Sequence, residues 1–338
     1  MSDSRFFFIS QVGELSPQAT LDEALAARKN GGFLWLDYRE PAKDELMALI
    51  EPLGLHPLSI EDCFDENQVP KIEDYPCNTF ILFNAFHYAP RSLTTQEVDL
   101  FIGENFLVTV SPTNPDGKPV LFDIEKRISQ EVENVRLGPS FLAHIIIDSV
   151  VDQKFIAIDA LEDELDRAED MILDDYAHFD PGELVRLRRE LLLVRKSLFH
   201  EREILVKICR KDSLFIVDKA ILFYRDIYDH LAKFFELTES YRDLVSSLME
   251  MYLSMINNQM TRASNDTNIT VRRLTFITTI FMPLTLLAGI GGMSEYSMMT
   301  GPTNWRIAYP LFLLAMVVLG VANYFMLKWF DRRREKRD

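Results

Sequence analysis

The sequence predicts an α+β cytoplasmic domain, a mixed sheet flanked by helices. Long stalk helices and a C-terminal hairpin of two transmembrane helices follow it. Three observations carry this. Leu274–Ile290 and Ile307–Leu327 are runs of 17 and 21 residues without a charge, near the ~20 apolar residues a helix needs to cross ~30 Å of hydrocarbon. From Phe141 onward the apolar residues keep helical spacing with few breaks. Residues 1–135 instead alternate helix and strand signals.

In chain order, Leu21–Arg28 is helical and Asn30-Gly31-Gly32 stops it. Gly32–Tyr38 reads as a strand, and Ala42–Leu53 as one amphipathic helix ending at Gly54. Ser59–Asp65 is a short helix. Asn78–Tyr88 and Glu97–Ser111 are rich in β-branched and aromatic residues, with a hairpin turn at Gly103-Glu104-Asn105. Phe141–Leu173 is a helix with an acidic second half, closed by the break Asp180-Pro181-Gly182. The next helix carries Arg186, Arg188, Arg189, Arg195, Lys196 and Arg202. The acids read as a solvated face offset by these bases, or as a reservoir of hydrated cations. From Val217 to Ile290 there is no strong stop, and Asp218 is a candidate N-cap. Such a helix would be on the order of 110 Å long. Pro283 is the one place where it should bend.

Charge sets the orientation. The chain carries a net −16, yet residues 271–338 hold nine Lys/Arg against four acids. Arg272-Arg273 precede the first run and an Arg-rich tail follows the second, so both termini are expected in the cytoplasm. The acidic remainder argues against nucleic acid as a partner. Met1–Arg5 is polar, and Phe6–Ile9 is too short for a signal-peptide core. Cys63, Cys77 and Cys209 lack ligand-like spacing and read as reduced thiols. The six histidines never pair at ligand spacing, and no phosphate loop or nucleophile elbow is present. No catalytic constellation appears, which argues against an enzyme.

The domain boundaries expected are 1–135 for the α/β domain and 136–270 for the helical and stalk region. A first span at 271–290, a loop at 291–306 outside, a second span at 307–329 and a basic tail at 330–338 complete the chain. On a helix wheel Val271, Thr275, Thr278, Met282, Thr285 and Gly289 share one face, with Asn268 at its margin. Phe276, Ile280, Leu284 and Leu287 lie on the other side. A span that only anchors needs no such stripe. Hydroxyls, a thioether and glycine on one face mean either packing against another helix or the wall of a pore.

The segment Ser264-Asn265-Asp266-Thr267-Asn268, then Phe281-Met282-Pro283-Leu284-Thr285, Ala288-Gly289-Ile290 and Gly292-Met293, resembles the CorA family of divalent-cation channels. The likeness extends back through Tyr224-Arg225-Asp226-Ile227-Tyr228-Asp229-His230, Tyr241–Val245, Ile60-Glu61-Asp62 and Pro70–Glu73. In that family the first span ends in Gly-Met-Asn and lines the pore of a homopentamer. Here the triplet reads Gly292-Met293-Ser294, with Glu295-Tyr296 directly after it. Ser is shorter than Asn and a weaker acceptor, so the outer ring should be wider.

The resemblance implies a homo-oligomer, a pentamer, in the inner membrane. It would conduct Mg2+, with Co2+ or Ni2+ as further cargo, driven by the membrane potential. Asn268, Thr278 and Thr285 would present rings of oxygen acceptors, with Val271 on the same wall. Leu274 and Met282 would form apolar constrictions. Gly292, Met293, Ser294 and Glu295 would form the selectivity loop. The resemblance further implies closure by cytoplasmic divalent ions, with Asp226 as a regulatory ligand whose usual acidic partner aligns near Ala89. No organic cofactor is implied; Mg2+ is the transported and regulatory ion. Two alternatives stay open: zinc transport of the ZntB type, and a non-conducting scaffold anchored in the lipid bilayer.

Overall fold

The computed structural model describes residues 4–65, 68–115, 117–292 and 304–334. They divide into two compact units, one up to Tyr252 and one from Leu253. The first is built on a seven-stranded mixed sheet. Its strands are β1 (Arg5–Ser10), β2 (Leu15–Gln18), β3 (Gly32–Arg39), β4 (Lys71–Asp74), β5 (Thr79–Ala89), β6 (Ser92–Ile102) and β7 (Phe106–Ser111). Their order is β2-β1-β3-β7-β6-β5-β4. Only β3 and β7 run parallel, Leu34 facing Phe106 and Tyr38 facing Val110. The β6–β7 hairpin turns at Gly103, whose N–H donates to the Phe106 carbonyl at 2.9 Å. A Cβ on Gly103 would fall 2.2 Å from the Phe106 ring, so a side chain is excluded there.

Four short helices cover one face: α1 (Leu21–Ala27), α2 (Lys43–Met47), α3 (Ile50–Leu53) and α4 (Pro57–Asp62). They close a core of Leu34, Leu36, Leu46, Leu49, Ile60, Phe80, Leu82, Phe101 and Val108. The expected helix over Ala42–Leu53 is therefore two. Pro52 has no N–H to give the Ala48 carbonyl, and its ring crowds that turn, so the chain breaks at Ala48-Leu49. Gly54 ends α3 at φ 71°, a left-handed conformation that suits glycine. Helix α4 starts earlier than expected, at Pro57, whose fixed φ suits a first turn. The His56 ring accepts the Leu58 N–H at 3.2 Å as its cap.

Two small helices, α5 (Ile124–Gln130) and α6 (Val132–Val135), lead to α7 (Pro139–Asp175), which lies across β5, β6 and β7 on the other face. Helix α8 (Gly182–Cys209) packs beside it after the break at Asp180-Pro181. The pin between these layers is Lys154 of α7, wholly buried. Its ammonium donates to the Asn84 carbonyl of β5 and to Glu201 of α8, and lies 4.4 Å from the centre of the Phe86 ring. Glu201 also accepts the Asn84 N–H at 3.0 Å and the Ser197 hydroxyl at 3.1 Å. Burial pulls both members of the pair toward their neutral forms, and each charge opposes that for the other.

The acidic half of α7 is a solvated face over most of its length. Of the bases named on α8, Arg186 reaches it, pairing with Glu164 and with Glu190 of its own helix at 2.8 Å. Arg195 turns to Glu239 instead, and Arg202 lies over the Phe235 ring at 4.9 Å.

Helix α9 is continuous over 71 residues, Ile221–Gly291, with Pro283 inside it. Asp218 does not cap it: a 3-10 turn, Asp218–Ala220, comes first, and Asp218 pairs with Lys211 at 2.7 Å. Tyr224 is buried and its hydroxyl donates to the Ser140 carbonyl at 2.7 Å, tying α9 to the start of α7. The second unit holds the rest of α9 and α10 (Trp305–Arg334). Both contain a stretch long and apolar enough to cross a membrane, with mean hydropathies of 1.8 and 2.1 and no fully buried residue in either stretch.

Candidate functional site

The side chains of α9 in the second unit fall into two faces. Phe276, Ile280, Pro283, Leu284 and Leu287 are half-buried, three or four residues apart, on the side that meets α10. On α10 the matching residues are Phe312, Met316, Gly320 and Asn323. Contact is close where glycine allows it. A Cβ on Gly320 would meet Leu284 at 3.5 Å, and one on Gly291 would meet the Phe312 ring at 2.7 Å. This is small-residue packing of the kind that lets helix backbones approach in a membrane.

The stripe of Asn268, Val271, Leu274, Thr278, Met282 and Thr285 lies on the other side and is exposed throughout. Leu274 is 63% and Met282 65% exposed, so the two residues expected to form apolar constrictions are both uncovered. Helix α10 therefore does not cover the stripe, and packing against it does not account for these residues. Met282, Thr285, Leu286, Gly289 and Ile290 line an open groove of about 560 Å3. Gly289 leaves it free, since nothing lies within 4 Å of where its Cβ would be.

The hydroxyls have a defined polarity. Thr275, Thr278 and Thr285 each donate to the carbonyl four residues back, at 2.9, 2.8 and 2.8 Å. The hydrogen is used within the helix, and the remaining lone pairs point outward as acceptors. Pro283 offers no N–H to the Thr279 carbonyl, but that carbonyl points to the side that meets α10 and not to the stripe. Nothing in the spacing of threonines announces this; their identity in a helix does, since Thr commonly bonds back to its own turn.

Further up α9, Thr261, Thr267 and Thr270 make the same bond to Asn257, Ala263 and Asp266. Gly292 closes the helix, its N–H donating to Ala288 at 3.0 Å. The other members of the expected selectivity loop, Met293, Ser294 and Glu295, lie outside the described residues.

Asp226 is exposed in the first unit, away from the stripe in sequence. Its surroundings are more acidic than the sequence reading named. Asp148 of α7 is pushed upward, first by burial and then by Asp152, with Asp226 adding and Arg127 and His230 opposing. Arg127 reaches Asp148 at 3.2 Å and Asp152 at 2.6 Å. His230, one turn beyond Asp226, was a visible signal in the same motif. Ala89 closes β5 at the hairpin to β6. Among the described residues no three His, Cys, Asp or Glu side chains gather closely enough to hold a metal ion.

The comparisons agree with this layout. The family model described as CorA-like Mg2+ transporter protein matches residues 30–333. The Bacillus subtilis protein YfjQ is 32% identical over 300 residues, covering 88% of this chain and 90% of that one. The cobalt/magnesium transport protein CorA of Thermotoga maritima is 31% identical over 296 residues, covering 86% and 80%. The complete structure of the CorA magnesium transporter from Methanocaldococcus jannaschii superposes with a TM-score of 0.69 at 21% identity, over 98% of this chain and 97% of that one. With a family match over nine-tenths of its length and both features of the fold, the α/β domain and the C-terminal helix pair, the chain belongs to the CorA-like Mg2+ transporter family.

Proposed function

We propose that this chain is a divalent metal cation channel that carries Mg2+, and Co2+ as a second cargo, through a pore lined by α9 in a homopentamer. The observation that carries the reading is the uncovered acceptor stripe of α9. Thr278 and Thr285 offer oxygen without a free hydrogen, on the side α10 leaves open. Mg2+ gives up its first-shell waters reluctantly, so neutral acceptors that contact those waters suit it better than a carboxylate cage. Rings of Asn268, Thr278 and Thr285 would hold the hydrated ion, and rings of Val271, Leu274 and Met282 would close around it by dewetting. Gly292, Met293, Ser294 and Glu295 form the outer mouth in this reading.

In this reading the spans run at 271–290 and 307–329 with an outside loop at 291–306, and the arginines flanking both runs favour a cytoplasmic N-terminal unit and basic tail. An interior-negative potential then drives entry by about 2.3 kcal/mol per charge per 100 mV, and twice that for a divalent ion. Assembly is supported by apolar side chains left exposed on α7 and α8, among them Phe155, Ile156, Leu192 and Phe199. Asp226 takes the regulatory role, with bound divalent ions holding the cytoplasmic units in the closed arrangement. The names of the relatives, one a cobalt/magnesium transport protein, support the choice of ions. The family is one of transporters, which fits a protein that is not an enzyme.

The test is flux. Purified protein in liposomes, under an inside-negative potassium diffusion potential, is offered Mg2+, Co2+, Ni2+ and Zn2+ singly and in competition. Entry of Mg2+ and Co2+ that grows with voltage is expected. Entry of Zn2+ alone would move the chain to the ZntB type, and no entry of any ion would leave a membrane-anchored scaffold.

A further inference from the structure

A second feature of the helix pair is not used by the pore. At the end of the hairpin where α9 enters and α10 leaves, a cavity of about 500 Å3 lies between the two helices. Arg273 stands one residue before the uncharged run of α9, and Lys328 one residue after that of α10. Both line this cavity, so two cations meet at its rim. Its wall is apolar, formed by Phe276, Ile277 and Ile280 on α9 with the ring of Tyr324 on α10. Lys328 holds its ammonium 5.8 Å from the Tyr324 ring centre.

The layout selects its occupant by charge and by shape. Two cations at one end call for a phosphate-type anion. The wall beyond them calls for hydrocarbon. The space is many times the ~30 Å3 a water molecule occupies, so a free phosphate would leave the apolar part wet. A zwitterionic lipid would bring its own cation toward Arg273 and Lys328. On the helix wheel Phe276 and Ile280 lie roughly opposite Thr278, Met282 and Thr285. With the stripe turned to the pore axis, this cavity opens toward the bilayer.

We propose that the cavity at the Arg273/Lys328 end of the spans binds one anionic phospholipid per chain, its phosphate between the two cations and its acyl chain along Phe276, Ile277 and Ile280. The inference rests on reading α9 and α10 as membrane spans, and adds a lipid site to it. Bound there, the lipid ties the two helices together at the level where the membrane begins.

The full chain is reconstituted in equimolar phosphatidylglycerol and phosphatidylcholine, extracted in mild detergent, and its retained lipids are counted by native mass spectrometry. Preferential retention of phosphatidylglycerol is expected. That preference should fall at least fivefold in the Arg273→Gln/Lys328→Gln variant. Ile277→Trp keeps both charges but fills the acyl slot, and should lose it as well. Equal retention of the two lipids by the parent, or an unchanged preference in both variants, would overturn the proposal. So would a preference abolished by inorganic phosphate, which would assign the rim to a free anion. Release of the protein from vesicles by alkaline carbonate would defeat the spanning reading itself. Firm insertion without lipid preference would defeat only this site.

Discussion

The Lys154 ammonium lies 2.9 Å from the Glu201 carboxylate, and neither side chain reaches solvent. The pair joins α7 and α8 to the middle of β5. Removing one partner strands the other charge in the core, which typically costs ~3–5 kcal/mol. Glu201→Ala should therefore lower the melting temperature of the detergent-solubilised protein by several degrees. Replacing both, Lys154→Met with Glu201→Leu, should recover most of that loss, because an apolar pair of similar volume removes the desolvation problem. Two single losses that simply add would show that the charges do not act together.

A second prediction concerns pH. Asp99 on β6 is 2% exposed, between Leu82 and Val110 on the neighbouring strands. Burial is the main force raising its carboxyl from 3.8 to about 8; the Glu97 and Asp62 charges add, and the Cys63 thiol and Lys71 oppose. Unfolded, this group ionises near 3.8; folded, it keeps its proton to about 8. Between those values the folded state binds the extra proton, so stability falls as pH rises, by up to ~1.4 kcal/mol per pH unit. Asp99→Asn mimics the protonated form. Its melting temperature should gain on the parent's steadily from pH 4 to pH 8 and stop gaining above that. A constant difference across the range would contradict the buried, protonated Asp99.

The pore reading makes Thr285 and Met282 separable. Thr285→Val keeps the shape of the side chain and removes its outward acceptor. A hydrogen bond in a charged setting is worth ~1.5–3 kcal/mol, so Mg2+ entry into liposomes should drop about tenfold or more, and Thr285→Ser should restore much of it. Met282→Ala shortens an apolar ring and should raise leak under closing conditions. Unchanged flux in both variants would remove this stripe from the pathway.

Gly291 meets Phe312 with no room for a side chain, since a Cβ would sit 2.7 Å from the ring. Gly291→Leu should overpack this contact, at a cost of ~1–3 kcal/mol, and lower thermal stability in detergent. Phe312→Leu in the same chain should give part of it back. A double variant no better than the single one would mean that these residues do not meet.

Asp226→Lys should weaken closure by Mg2+ on the cytoplasmic side, read as a higher Mg2+ concentration for half-inhibition of flux. The same inhibition curve in variant and parent would take Asp226 out of the sensing role.

Much of this architecture can be read in the residues, and the exceptions have physical reasons. The two charge-free runs, the unbroken helix into them, and the opposed faces of Thr278 and Phe276 are visible because a helix repeats its spacing over many turns. The central hairpin is visible because β-branched and aromatic residues crowd on both sides of Gly103. The short strands β1, β2 and β4 are not, since a run of four to six residues such as Arg5–Ser10 fixes no period. Pro52 breaks the helix before Gly54 although the apolar spacing runs on through it. Lys154 reads as a solvated residue in a long helix; only the approach of β5 and α8 buries it. The acceptor character of the threonines needed the helix to exist first, and the cavity between Arg273 and Lys328 needed both helices.

The back-bonded threonines of α9 have one more consequence. With each hydroxyl hydrogen held by the turn below, this wall can receive hydrogen bonds but has few to give. It thus has a sign without carrying any formal charge. A chloride ion, which is solvated by donors, would find little there to replace its water. Discrimination between cation and anion can in this way be written into neutral side chains, with no carboxylate to trap the ion that is meant to leave.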